Sequence, residues 1–258
     1  MASPAVTLRS RTYRDASPFA IETEDGVRLR GSRVGREGPS LVFCHGFLGW
    51  HHKDRIVRFV EALASRFVVY AFDLRGHGAS GGLCTYGDRE ALDVDAVVRM
   101  AREERGDQPL ATLGVSMGGV AVLRQAAINR GVDAVIAIST PARWDGHRSR
   151  AVRQIQWLAS TPRGRRLAPK LGVRLAEHSA WTDSPEDLIE RIAPTPVVIV
   201  HGRDDHFFDE EEAWRLYRRA GDPKRLMLAA RFGHAEDGLT PGFAQRLAPR
   251  IIETLALR

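Results

Sequence analysis

The chain has 258 residues, 43% of them hydrophobic and 27% charged, with 38 basic against 32 acidic side chains. This is ordinary globular usage, which excludes a disordered or fibrous chain, and the length is enough for one α/β body to bury a core without staples. No apolar run approaches the roughly 18 residues a membrane helix needs, and the arginine-bearing start has no apolar stretch behind it, so we expect a cytoplasmic protein with no integral membrane segment. All basic residues except Lys53, Lys170 and Lys224 are arginine. Such a surplus reflects a GC-rich genome as readily as a polyanionic partner, so no nucleic-acid partner is inferred. Cys44 and Cys84 are too few for a zinc site and read as two ordinary thiols.

Two runs, Phe19–Thr23 and Val27–Arg33, alternate around Asp25-Gly26, which is hairpin turn chemistry. Short apolar runs then alternate with longer amphipathic ones: 41–44, 56–63, 67–72, 91–100, 110–115, 120–127 and 132–138. Strands apolar on both faces and separated by helices predict a parallel sheet wrapped by crossovers. The rhythm breaks after Ser139. Residues 141–193 hold Trp144, Trp157 and Trp181 among many charges with no strand-like run, so they read as a helical insertion. Alternation resumes with a strand at 196–200, a helix at 210–220, a strand at 225–230 and a closing helix at 241–257. The division expected is 1–140 and 194–258 for one core, with 141–193 inserted as a cap.

Gly-x-Ser-x-Gly occurs twice, at Gly114–Gly118 and at Gly78–Gly82. The chemistry requires a sharp strand-to-helix turn that raises the serine Oγ above the sheet. Ser116 follows an apolar strand and precedes Gly119-Val120-Ala121-Val122-Leu123, a helix start, whereas Ser80 is followed by Gly81-Gly82 and a turn. Ser116 is therefore the candidate nucleophile and Ser80 part of a glycine-rich turn.

With His45-Gly46-Phe47 after the first core strand, Asp73-Leu74-Arg75-Gly76-His77-Gly78-Ala79-Ser80 after the next, and the elbow at Gly114–Gly119, the chain from about Phe19 resembles the α/β-hydrolase superfamily, in particular its capped serine esterases and lipases. The resemblance implies an α/β-hydrolase fold with an eight-stranded, mostly parallel sheet flanked by helices and a small cap after the sixth strand. It also implies a serine, an acid and a histidine in that chain order. The loop Gly202-Arg203-Asp204-Asp205 resembles the family's acid loop, pointing to Asp205, with Asp204 as rival. His234, in a glycine-containing loop after the last strand, is the expected base, while His206 adjoins the acid and is poorly placed to reach Ser116. By the family pattern the oxyanion donors are the backbone N–H groups of Phe47 and Met117.

His45 and His77 read as hydrogen-bonded scaffolding, and His51 and His52 as helix-start residues facing the pocket mouth or solvent. No histidine pair has metal spacing, so neither metal nor cofactor is expected. Residues 143–175 carry nine Arg and Lys against Asp145 alone, which is either a solvated face or a surface for an anionic substrate or lipid. Trp144 and Trp157 are tentative pocket residues. The expected activity is hydrolysis of small-molecule carboxylic esters through an acyl-enzyme. The alternatives are an acyl-CoA or acyl-carrier thioesterase, a monoacylglycerol-type lipase, or a non-catalytic binding protein on the same fold. A serine at position 116 argues against a dehalogenase or epoxide hydrolase, which would need aspartate there.

Overall fold

A computed structural model of the chain describes residues 10–147, 149–177 and 183–257. The hairpin is β1 (Ala16–Glu22) and β2 (Arg28–Val34), one residue beyond the expected turn on the second strand and three before the expected start on the first. Then come β3 (Ser40–Cys44), α1 (Asp54–Leu63), β4 (Val68–Phe72), α2 (Glu90–Arg105), β5 (Leu110–Val115), α3 (Met117–Ile128) and β6 (Ala134–Ile138). The second half closes with β7 (Val197–Gly202), α7 (Glu210–Arg219), β8 (Lys224–Ala229) and α8 (Pro241–Leu255). The eight strands form one sheet in the order β1-β2-β4-β3-β5-β6-β7-β8, antiparallel across β1, β2 and β4 and parallel elsewhere.

The run-versus-alternation contrast in the sequence has a direct structural cause. Every residue of β3, β4, β5, β6 and β7 is buried, because both sheet faces are covered. Leu41, Phe43, Val69, Leu113, Ile136 and Val198 point into the core under α1 and α8, while Val42, Cys44, Tyr70, Val135, Ala137 and Ile199 point into the core under α2 and α3. The period of two distributes one apolar run between two cores. The outer strand β1 instead has only half-buried and exposed residues, alternating from Pro18 onward.

Between β6 and β7 lie α4 (Arg150–Ser160), α5 (Pro162–Leu167), a 3-10 turn (Ala168–Leu171), α6 (Pro185–Leu188) and a second 3-10 turn (Ile189–Ile192). Ser149 caps α4 by accepting from Val152 N–H at 3.1 Å. Thr161 ends α4 and caps α5, accepting from Gly164 N–H at 3.0 Å, and Pro162 follows at the first helical position where its missing N–H costs nothing. The return leg is tied to the body like a short extra strand. Arg174 N–H donates to Gly76 O at 2.8 Å, Cys84 N–H to Arg174 O at 2.7 Å, and Ala176 N–H to Cys84 O at 3.0 Å.

The hairpin turn is anchored by one guanidinium. Arg75, buried, grips both oxygens of Asp25 at 2.7 and 2.9 Å and reaches the fully buried Asp93 of α2 at 2.7 and 2.8 Å. Removing one member of a buried pair leaves an uncompensated charge. Arg75→Ala is expected to lower unfolding free energy by about 3–5 kcal/mol in urea titrations, against about 1 kcal/mol for Asp25→Asn, whose site is partly solvated.

Candidate active site

Ser116 is the single residue between β5 and α3, with φ 53° and ψ −117°, a backbone state that side chains with a Cβ adopt at a cost of about 1–3 kcal/mol. Close packing holds it there. Ser116 N–H donates to Ile138 O at 2.8 Å. A Cβ on Gly118 would stand 2.4 Å from Cys44 O, and one on Gly119 would stand 1.8 Å from Thr140 Oγ1. Helix α3 can therefore start flush against the ends of β3 and β6 only with glycine at both positions. The second copy of the motif has none of this: Ser80 is buried, its hydroxyl donates to Asp73 O at 2.5 Å and accepts from Arg30 N–H at 2.9 Å. It holds a turn.

His234 follows β8, and Ala235 N–H fixes its loop by donating to Ser139 Oγ at 3.0 Å. Its Nε2 lies 3.0 Å from Ser116 Oγ, although 118 residues separate the two in sequence. Its Nδ1 lies 2.8 and 3.1 Å from the oxygens of Asp205. The ring stacks on Phe207 at 4.1 Å between centroids and takes the edge of Phe208 at 5.4 Å, which fixes its plane. Asp205 Oδ1 also accepts the Phe207 and Phe208 N–H groups at 2.8 and 3.1 Å. Burial works to raise this carboxyl, but the bonds from His234 and the two backbone N–H groups outweigh it and hold it below the usual carboxylate range. A charged Asp205 keeps the imidazole proton on Nδ1, leaving the Nε2 lone pair to face the serine hydroxyl. Asp204 is exposed, and His206 is exposed beside Asp237.

The loop after β3 runs beside the elbow: a Cβ on Gly46 would stand 3.4 Å from Ser116 Cβ. Two buried histidines flank it. His45 donates from Nδ1 to Gly46 O at 2.8 Å and accepts Leu74 N–H on Nε2 at 3.0 Å, and His77 donates from Nδ1 to Arg75 O at 3.0 Å. Burial pushes their pKa values down to about 4 and about 3, so both stay neutral and act as struts. Phe47 is half-buried and Met117 buried, and Met117 N–H is the first of α3, where no intrahelical acceptor exists.

His51 differs from expectation. It faces neither pocket mouth nor solvent but is buried against Asp73, whose Oδ1 receives both its Nδ1 and its backbone N–H at 2.7 Å. Burial would raise the Asp73 carboxyl, yet His51, the nearby His45 and Ala79 N–H bring it down to about 2. The spacing of His51 from Asp73 carries no periodicity that announces this pair. Trp144 stands edge-on to Tyr86 at 6.0 Å, and Tyr86 packs on Phe47 at 5.3 Å. Trp157 is 47% exposed on α4. Trp181 lies outside the described residues.

A family model for the alpha/beta hydrolase fold matches residues 39–195, more than half of the chain. The chain belongs to the α/β-hydrolase fold family. Among curated relatives, the uncharacterized protein YqkD of Bacillus subtilis is 28% identical over 231 residues, covering 86% of this chain and 73% of its own. The pimeloyl-[acyl-carrier protein] methyl ester esterase of Chromobacterium violaceum is 36% identical over 92 residues, 35% of this chain and 32% of that one. Among solved structures, the Pyrococcus furiosus esterase Pf2001 superposes with a TM-score of 0.73 at 23% identity, covering 94% of this chain and 92% of that chain, a likeness of fold. No described helix of this α/β-hydrolase is long and apolar enough to cross a membrane.

The neutral struts make stability pH-dependent. His45 and His77 have folded values below the ordinary 6.5, so the stability they contribute is complete above about pH 6.5 and declines as pH falls toward 4, when the unfolded chain takes up protons the fold refuses. Urea titrations should give a falling unfolding free energy from pH 7 to pH 5, and His77→Gln should flatten that slope. An unchanged slope would contradict the assignment.

Proposed function

We propose that this α/β-hydrolase is a serine hydrolase of carboxylic esters working through an acyl-enzyme. One observation carries the reading: a continuous hydrogen-bonded line from Ser116 Oγ through the imidazole of His234 to Asp205, at 3.0 and 2.8 Å. A serine hydroxyl is a poor nucleophile until a base takes its proton, and an imidazole is an effective base when a carboxylate stabilises the imidazolium.

In this reading Ser116 Oγ bonds to the ester carbonyl carbon while its proton passes to His234 Nε2. The carbonyl π electrons move to oxygen, and the oxyanion is received by the Phe47 and Met117 N–H groups, reinforced by the positive end of α3. Collapse of the tetrahedral intermediate expels the alcohol oxygen, which takes the proton from His234. Water then repeats the sequence: His234 removes its proton, its oxygen attacks the acyl carbon, and the acid leaves with the proton returned to Ser116. In this reading the insertion between β6 and β7 is the cap over the site, and its Trp144, edge-on to Tyr86, forms part of the acyl wall.

A second reading, hydrolysis of an ester or thioester on an anionic acyl carrier, draws support from the exposed Arg150, Arg163, Arg166 and Lys170 of the insertion. Part of the local basic surplus is structural, since Arg165 donates to the Ala159, Ala176 and Glu177 carbonyls and Arg174 to Ser80 O. Salt separates the two readings: kcat/KM for an acyl-CoA should fall steeply with ionic strength if these cations steer it, while that for a neutral nitrophenyl ester should not.

A fluorophosphonate probe should label the wild type and not Ser116→Ala. With nitrophenyl esters of graded chain length, Ser116→Ala should lose about 10⁴-fold or more in kcat, and Asp205→Asn about 10⁴-fold through the wrong imidazole tautomer. A wild type that resists the probe and turns over no ester would instead support the binding-protein alternative.

A further inference from the structure

The site as described gives no work to Tyr86, and its setting is costly. It is a non-glycine residue with φ 61°, held there from both sides by the fully buried Glu90. One carboxylate oxygen of Glu90 accepts Thr85 N–H at 2.7 Å, and the other accepts the Thr85 hydroxyl at 2.6 Å and Gly87 N–H at 2.8 Å. Gly87 in turn presses on the first turn of α3, where a Cβ would come within 2.7 Å of Val120 and 3.1 Å of Met117 O. Strain that is over-determined by its surroundings marks a side chain aimed for use. The ring is aimed between Phe47 at 5.3 Å and Trp144 at 6.0 Å, so it stands next to one proposed oxyanion donor and touches the insertion.

Its hydroxyl is buried, with only 8% of the residue exposed, and has no hydrogen-bond partner among the described residues. Phenylalanine would fill the same space without desolvating a polar group, so packing does not account for the oxygen. A partner from outside the chain does. Resting on the reading of Ser116 as an ester-cleaving nucleophile, we infer that Tyr86 is a specificity-determining residue whose hydroxyl hydrogen-bonds an oxygen carried by the substrate away from the scissile ester. The favoured substrates are then esters with a second hydrogen-bond acceptor, such as an ether, hydroxyl or keto oxygen, rather than plain alkyl esters. Polarity fixes the direction of the bond. A phenol O–H is a better donor than acceptor, so an acceptor oxygen is the group it fits.

The test uses Tyr86→Phe, which keeps the ring and deletes only the oxygen. Wild type and variant are compared on straight-chain nitrophenyl esters and on the same esters with one methylene replaced by an ether oxygen at each successive position. At one position or more the variant should lose roughly 3- to 10-fold in kcat/KM, the worth of one neutral hydrogen bond, with the all-carbon series unchanged. Equal losses in both series, or none in either, would overturn the inference. So would a marked fall in thermal stability of Tyr86→Phe, because it would reveal a structural partner. Calorimetric binding of matched methyl ketones with and without the ether oxygen reads the same contact without turnover. If the fluorophosphonate probe fails but this preference persists and vanishes in Tyr86→Phe, the hydrolase reading falls while the specificity assignment stands.

Discussion

The whole site depends on one close approach, the seating of the first turn of α3 against the backbone that ends β3. Gly118 against Cys44 O and Gly119 against Thr140 leave no space for a side chain, and the tightness of that contact forces Ser116 into its left-handed conformation. From it follow the exposure of the hydroxyl above the sheet, the N–H of Met117 at the helix start, and the nearness of Gly46 to Ser116. The strain at one residue is offset by backbone packing spread over three strand ends.

Around that fixed point the sheet acts as a template. The strands β5, β7 and β8 run parallel through β6 and end at the same end of the sheet, so the chain leaves it there each time, and Ser116, Asp205 and the loop bearing His234 converge although they are far apart in sequence. The carboxylate is then held by two backbone N–H groups of its own loop, and the imidazole by two phenylalanine rings. Orientation thus comes from local chain and aromatic packing rather than from a long polar network.

Much of this was legible in the sequence because the physics is local. The apolar runs of β3 to β7 mark strands buried on both faces, and the strand before and helix start after Ser116 separate it from Ser80, whose hydroxyl serves a turn. What stayed hidden depends on tertiary meeting. The choice between Asp204 and Asp205 turns on which neighbour faces inward, and His51 against Asp73 joins two loops with no shared period. Trp157 carries no mark that would place it outward on α4. The clamp of Glu90 on the turn at Tyr86 is short in sequence, yet its meaning lies in Phe47 and Trp144, which arrive from elsewhere.

The return leg of the insertion, Val173 to Ala176, is fastened by three backbone bonds to the loop that runs from Gly76 to Cys84. The same loop carries Ser80, which bonds Asp73 O, and Ala79, which bonds the Asp73 carboxylate. The insertion and the loop that holds Asp73 therefore share one hydrogen-bonded seam, and any displacement along it is felt, through Asp73 and His51, by the loop that follows β3.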